Sequence, residues 1–181
     1  MCESSVVADA RAALDWVSAK LGDRCRVLVW GHSLGTAIAS HMVADFDMET
    51  GGNSSVAGLV LESPFNNMAE EVRQFRASKA LQLLVDLDTV LTQSDLRFET
   101  DKWLPAVKCP VLVLHAEDDG VVPHSLAARL VTDTTQAGKE SIKLVSLPAS
   151  EQCGHTDIYK SETASKELLA WVECLSKPAS S

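Results

Sequence analysis

The sequence has no apolar run near the ~20 residues that a membrane-crossing helix needs; its longest, such as Pro110 to Leu114, are far shorter. Residues 1 to 20 contain no apolar signal core, so the chain as it stands is expected to carry neither a secretory signal nor an anchor, and alone it is compatible with the cytoplasm. Positive charge is scarce. Lys and Arg number 16 against 25 Asp and Glu, a net charge of −9 and a pI near 4.9, which excludes the basic footprint of a nucleic-acid binder and disfavours anionic membrane surfaces. Cysteine is sparse and scattered. Cys2, Cys25, Cys109, Cys153 and Cys174 are odd in number and show no C-x-x-C spacing, which argues against a disulfide framework and against a zinc site. Internal repeats and domain linkers are also missing, and 181 residues suggest one domain.

What is present is a core-forming composition, 46% hydrophobic and 23% charged, arranged with a clear rhythm. Val7, Ala10, Ala13, Leu14, Val17 and Leu21 recur every three or four residues, predicting an amphipathic helix over Ser4 to Lys20 that Gly22 ends. Val27 to Trp30 reads as a buried strand, Thr36 to Ala44 as a small-residue helix, and Asp47 to Ser55 as a polar loop whose Gly51-Gly52-Asn53 cannot continue a helix. Strands follow at Val56 to Leu61, Val111 to His115 and Ile142 to Leu147, with helices at Ser125 to Thr135 and Thr163 to Leu175 and a frayed tail from Ser176. This alternation implies an α/β fold with a parallel sheet covered on both faces. Between the second and third strands the rhythm breaks. Phe65 to Trp103 has helical periodicity (Ala80, Leu81, Leu84, Leu87, Val90, Leu91) and no strand, as either a lid-like binding insertion or packing helices over the sheet.

The chemistry concentrates at one turn. Gly31-His32-Ser33-Leu34-Gly35 fits G-x-S-x-G, in which a serine sits on a strained strand-to-helix elbow and projects its hydroxyl above the sheet edge. Strand and helix meet so tightly there that side chains two places either side of the serine are expected to collide, hence both glycines. A glycine-rich turn around a buried serine would show the same five letters. A nucleophilic serine needs a base to take its proton and a carboxylate to orient that base. Candidates lie on loops leaving later strands: Asp118 or Asp119 after the third strand, and His155 after the fourth. Asp157 is a local competitor for His155. Among the other histidines, the His32 side chain is expected to point away from Ser33, His41 sits two turns into a helix, His115 reads as a core histidine and His124 opens a helix. Such chemistry calls for no cofactor and no metal.

Trp30 to Thr36, Leu61-Glu-Ser-Pro-Phe65, His115-Ala-Glu-Asp-Asp-Gly-Val-Val-Pro123 and His155 with Ile158-Tyr-Lys-Ser161 resemble the α/β-hydrolase domain-containing protein 12 type, and the resemblance runs across Val27 to Ser161. That family hydrolyses lysophosphatidylserine and monoacylglycerol. The resemblance implies Ser33 as nucleophile, Asp119 as acid rather than Asp118, which becomes a turn or capping carboxylate, and His155 as base. It also implies the Leu34 backbone N–H as one oxyanion donor. It implies a lysophospholipid or monoacylglycerol substrate and, for the full-length protein, an anchor in the endoplasmic reticulum membrane with the catalytic domain facing the lumen. The sequence departs from the family at its beginning and around Cys153-Gly154. Only four strands can be placed, as expected for the C-terminal half of an α/β-hydrolase fold, and the His-Gly type loop that gives a second oxyanion N–H has no counterpart. The expectation is a serine lipase domain in which these residues alone, with the Val27 to Trp30 edge open, would be poorly active. A serine peptidase of the prolyl-oligopeptidase type shares the fold and residue order. An inactive fragment serving as an interaction module is the non-enzymatic alternative.

Overall fold

The computed structural model describes residues 2–22, 25–51, 55–74 and 86–176. In chain order the elements are α1 (Glu3–Leu21), β1 (Val27–His32), α2 (Leu34–Glu49), β2 (Val56–Glu62), α3 (Met68–Gln74), α4 (Leu87–Gln93), α5 (Thr100–Trp103), β3 (Val111–Ala116), α6 (His124–Gln136), β4 (Ile142–Leu147) and α7 (Glu162–Ser176). The four strands are parallel and lie in the order β1-β2-β3-β4, so each crossover moves the chain one strand along the sheet. The register pairs Trp30 with Val60, Val60 with Leu112 and Leu112 with Lys143.

The near-continuous apolar runs of β2 and β3 are buried throughout apart from Glu62, as two-sided coverage requires. Residues alternating along these strands serve opposite faces. Leu59, Leu61, Val111 and Val113 pack with Val7 and Leu14 of α1, Met42 and Val43 of α2, and Ala127 and Leu130 of α6. Val60, Leu112, Leu114 and Val145 face the other way, onto Ala164, Leu168 and Trp171 of α7. β1 forms one edge of this sheet, with Leu28 and Trp30 half-exposed and the Trp30 indole N–H donating to Glu62 at 2.8 Å.

The helix after the elbow runs further than its sequence suggests. Asp47 and Met48, expected in a loop, lie in the last turn of α2, because the buried Asp47 carboxylate accepts the Lys108 N–H at 2.7 Å and gives the helix end a tertiary partner. Ala80, Leu81 and Leu84, like Gly52 and Asn53, lie outside the described residues. The described ends of the Phe65–Trp103 segment are anchored: Phe65 and Phe98 pack with Ala37, Val122 and Leu126. Ala37 is one turn past Ser33 and Val122 is three residues past Asp119, so this small core lies directly behind the loops that carry both.

Candidate active site

β1 ends at His32, and the chain reverses into α2 through Ser33, whose φ of 51° and ψ of −119° are strained for a residue with a side chain. Three bonds hold that conformation. The Ser33 N–H donates to the Glu62 carbonyl at 2.9 Å, while the Ser33 carbonyl accepts from the Thr36 N–H at 2.9 Å and from its hydroxyl at 2.6 Å. The two glycines are not equivalent. A Cβ on Gly31 would lie 2.3 Å from the Gly35 carbonyl oxygen and 2.8 Å from the Thr36 nitrogen, whereas a Cβ on Gly35 meets nothing within 4 Å. The symmetric collision expected from the motif is therefore corrected: only Gly31 needs to lack a side chain, and Gly35 contributes the backbone that presses against it.

Ser33 Oγ lies 3.0 Å from His155 Nε2, and His155 Nδ1 lies 2.8 Å from Asp119 Oδ2. With Nδ1–H directed at the carboxylate, Nε2 is left to accept the serine proton. The other oxygen of Asp119 accepts the N–H groups of Val121 and Val122, each at 2.9 Å. Burial alone would raise the Asp119 carboxyl, but hydrogen bonds from His115, His155 and those two amides outweigh it and hold the group well below the usual carboxylate range. The site thus contains a buried acid, held well below the usual carboxylate range, facing an imidazole that faces a serine.

The loop bearing His155 is fastened on several sides. Asp118 accepts the Gly154 N–H at 3.1 Å, so it caps this neighbouring loop. Glu151 receives the hydroxyls of Ser161 and Thr163, closing the base of the loop, and Ser161 Oγ accepts the Ala164 N–H at the start of α7. Asp157 pairs with Lys160 at 2.8 Å and takes no part in orienting His155. His124 bonds Ser146, and His41 lies between Glu3 and Asp45 while stacking on Trp103.

Two histidines depart from expectation. The His32 side chain, expected to point away, places Nε2 3.0 Å from the His155 carbonyl oxygen with its ring 5.0 Å from the His155 ring, because the loop after β4 folds back over the end of β1. His115 is fully buried, as a core histidine should be, yet its Nε2 lies 2.9 Å from the Val122 carbonyl and 3.3 Å from Asp119. A further group is absent from the sequence argument. Glu71 of α3 is buried, neither carboxylate oxygen has a hydrogen-bond partner among the described residues, and the same is true of His115 Nδ1. Burial first, and then the charge of Asp119, push Glu71 up to about 7. Nothing along the chain shows that a turn of α3 brings Glu71 near the Asp119 loop.

A serine on a strand-to-helix elbow at the carboxyl ends of parallel strands in a helix-covered sheet is the arrangement of the α/β-hydrolase fold. The family model described as the alpha/beta hydrolase fold matches residues 3–101, and the chain belongs to that family. Among curated proteins it is similar to lysophosphatidylserine lipase ABHD12 of Macaca fascicularis, 35% identical over 167 residues that cover 88% of this chain and 41% of that protein. The Danio rerio protein of the same name is 34% identical, with 88% and 42% covered, and human protein ABHD12B is 30% identical, with 89% and 44% covered. The chain thus spans about two fifths of the length of these relatives. Among solved structures it resembles the esterase domain of a Rhodothermus marinus protein (TM-score 0.60, 21% identity, 92% of this chain and 67% of that one). It also resembles Pyrococcus horikoshii acylaminoacyl peptidase (TM-score 0.66, 14% identity, 97% and 28%). These two likenesses establish the fold alone.

Two outcomes follow from this geometry. Gly31→Ala should force the elbow apart and lower the rate of labelling by a fluorophosphonate probe by ~100-fold, as expected for an ångström-scale displacement of a reacting group. Gly35→Ala should label normally and gain up to ~1 kcal/mol of helix stability. Equal losses in both would contradict the asymmetric contact. For Glu71, the folded state favours the neutral acid, so stability is full below its ordinary value of 4.5 and declines as pH rises towards about 7. Glu71→Gln should therefore match the parent near pH 4.5 and exceed it by roughly 1–3 kcal/mol near pH 8, measured by denaturant titration.

Proposed function

We propose that the protein carrying this chain is a serine ester hydrolase that cleaves the carboxylic ester of single-chain lipids, of the lysophosphatidylserine or monoacylglycerol type. The observation that carries this reading is the continuous line from Ser33 Oγ through His155 to the ionised Asp119, at 3.0 and 2.8 Å. Ser33 Oγ attacks the ester carbonyl carbon as His155 Nε2 takes its proton, and Asp119 stabilises the imidazolium without itself being protonated. The Leu34 N–H, at the first position of α2 and outside the helical hydrogen-bond ladder, serves as one donor to the tetrahedral oxyanion. Collapse breaks the acyl–oxygen bond. His155 passes the proton to the leaving alcohol, and an acyl ester remains on Ser33. Water activated by the same imidazole then releases the fatty acid.

The lipid substrate rests on the named activity of the relatives at 34–35% identity. We read the Phe65–Trp103 segment as a lid over this site, with Leu87 and Leu91 of α4 among its apolar residues. The resemblance to this family also carries the placement at the endoplasmic reticulum membrane, facing the lumen. Among the described residues no helix is long and apolar enough to cross a membrane.

Ser33→Ala and His155→Ala should each abolish fluorophosphonate labelling, and Asp119→Asn should lose roughly 10⁴-fold in turnover. Asp118→Asn should stay close to the parent, because an amide oxygen can still accept the Gly154 N–H. Undiminished labelling of Ser33→Ala would remove the nucleophile and the reading with it. Across a series of monoacyl lipids, kcat/KM should rise with chain length, since each buried methylene contributes about 0.8 kcal/mol. A preference for peptide amides would instead favour a peptidase.

A further inference from the structure

We infer that His32 is a positioning residue for the base: its ring ties the end of the nucleophile strand to the main chain of His155 and thereby sets the approach of that imidazole to Ser33. The inference rests on the serine-hydrolase reading.

His32 and Ser33 are consecutive residues, so whatever His32 holds is referenced directly to the nucleophile. It holds the carbonyl of His155 itself, at 3.0 Å from Nε2. A carbonyl oxygen can only accept, so Nε2 of His32 must carry a proton and donate. The His155 residue is thus restrained at three points. Its side chain is bonded to Asp119, the N–H of the residue before it to Asp118, and its own carbonyl to His32. The first two restraints both come from the loop after β3; His32 alone comes from the strand bearing Ser33. Apart from the Ser33–His155 hydrogen bond itself, the other two restraints reach the nucleophile only by way of the loop after β3.

The rest of the loop does not need this bond to fold. Cys153 and Ile158 are buried in the core against α7, and Glu151 closes the loop base on Ser161 and Thr163. The His32 side chain is exposed at the surface, so its removal opens no cavity. A purely structural role would show as lost stability; a positioning role would show as lost turnover in a protein of unchanged stability.

The test compares His32→Ala, His32→Phe and His32→Gln in the protein that carries this chain. Melting temperature, fluorophosphonate labelling rate, and kcat and KM on a monoacylglycerol are the readouts, with Ser33→Ala as the control for the underlying reading. His32→Ala should lower kcat and labelling rate by ~10- to 100-fold with KM and melting temperature little changed. His32→Phe, which keeps a ring but has no donor, should fall equally. His32→Gln, whose amide nitrogen can reach the same carbonyl, should recover to within a few-fold of the parent. Parental labelling in His32→Ala while Ser33→Ala is dead would overturn the inference and leave the hydrolase reading standing. Recovery by Phe but not Gln would also overturn it, by assigning the effect to ring contact and not to the bond. Labelling of Ser33→Ala at the parental rate would overturn both.

Discussion

Everything at this site depends on one close approach, that of the Gly31 backbone to the carbonyl of Gly35 at the start of α2. Because no Cβ fits between them, strand and helix can meet at an angle that forces Ser33 into positive φ and lifts its hydroxyl above the sheet. The strain is compensated locally by the Glu62 carbonyl on one side and by Thr36 on the other. β2 therefore does more than cover an edge of β1. Its last residue accepts the Ser33 N–H, so the elbow is correct only when the parallel pairing is.

The electrostatic order follows from the same sheet edge. Asp119 stays ionised in a buried position because two imidazoles and two amides converge on it, and those donors come from the end of β3, the Val121–Val122 turn and the loop after β4. Glu71, brought to the same region by α3, has no such donors, and its carboxyl moves in the opposite direction. Two buried carboxyls in one neighbourhood are thus shifted in opposite directions by the supply of hydrogen bonds. This places α3 in electrostatic contact with the acid that bonds His155.

Much of this was readable from residue order. Short continuous apolar runs marked the strands and a period of three to four residues the long helices, since burial on both faces or on one imposes those patterns. G-x-S-x-G located the elbow, and the apolar blocks before Asp119 and His155 placed both on loops leaving the same edge of a parallel sheet. The choice of Asp119 over Asp118 came from resemblance. The physical difference appears only in three dimensions, where Asp119 turns inward onto His155 and Asp118 caps Gly154 from outside.

By itself, then, the sequence determined the α/β class, the strand count and the elbow, because these depend on local periodicity and on turn chemistry, and it offered Ser33, Asp118 or Asp119, and His155 as candidates for the chemistry. Only the tertiary structure decided that His32 points toward the base, that His115 touches the acid as well as filling the core, that Glu71 is buried beside them and that Gly35 is sterically free. The His32 and Glu71 placements are contacts between segments far apart in the chain, the His115–Asp119 approach depends on how the turn after β3 closes, and the freedom of Gly35 is an open space. None leaves a pattern along the chain, because each is set by how the chain packs in three dimensions.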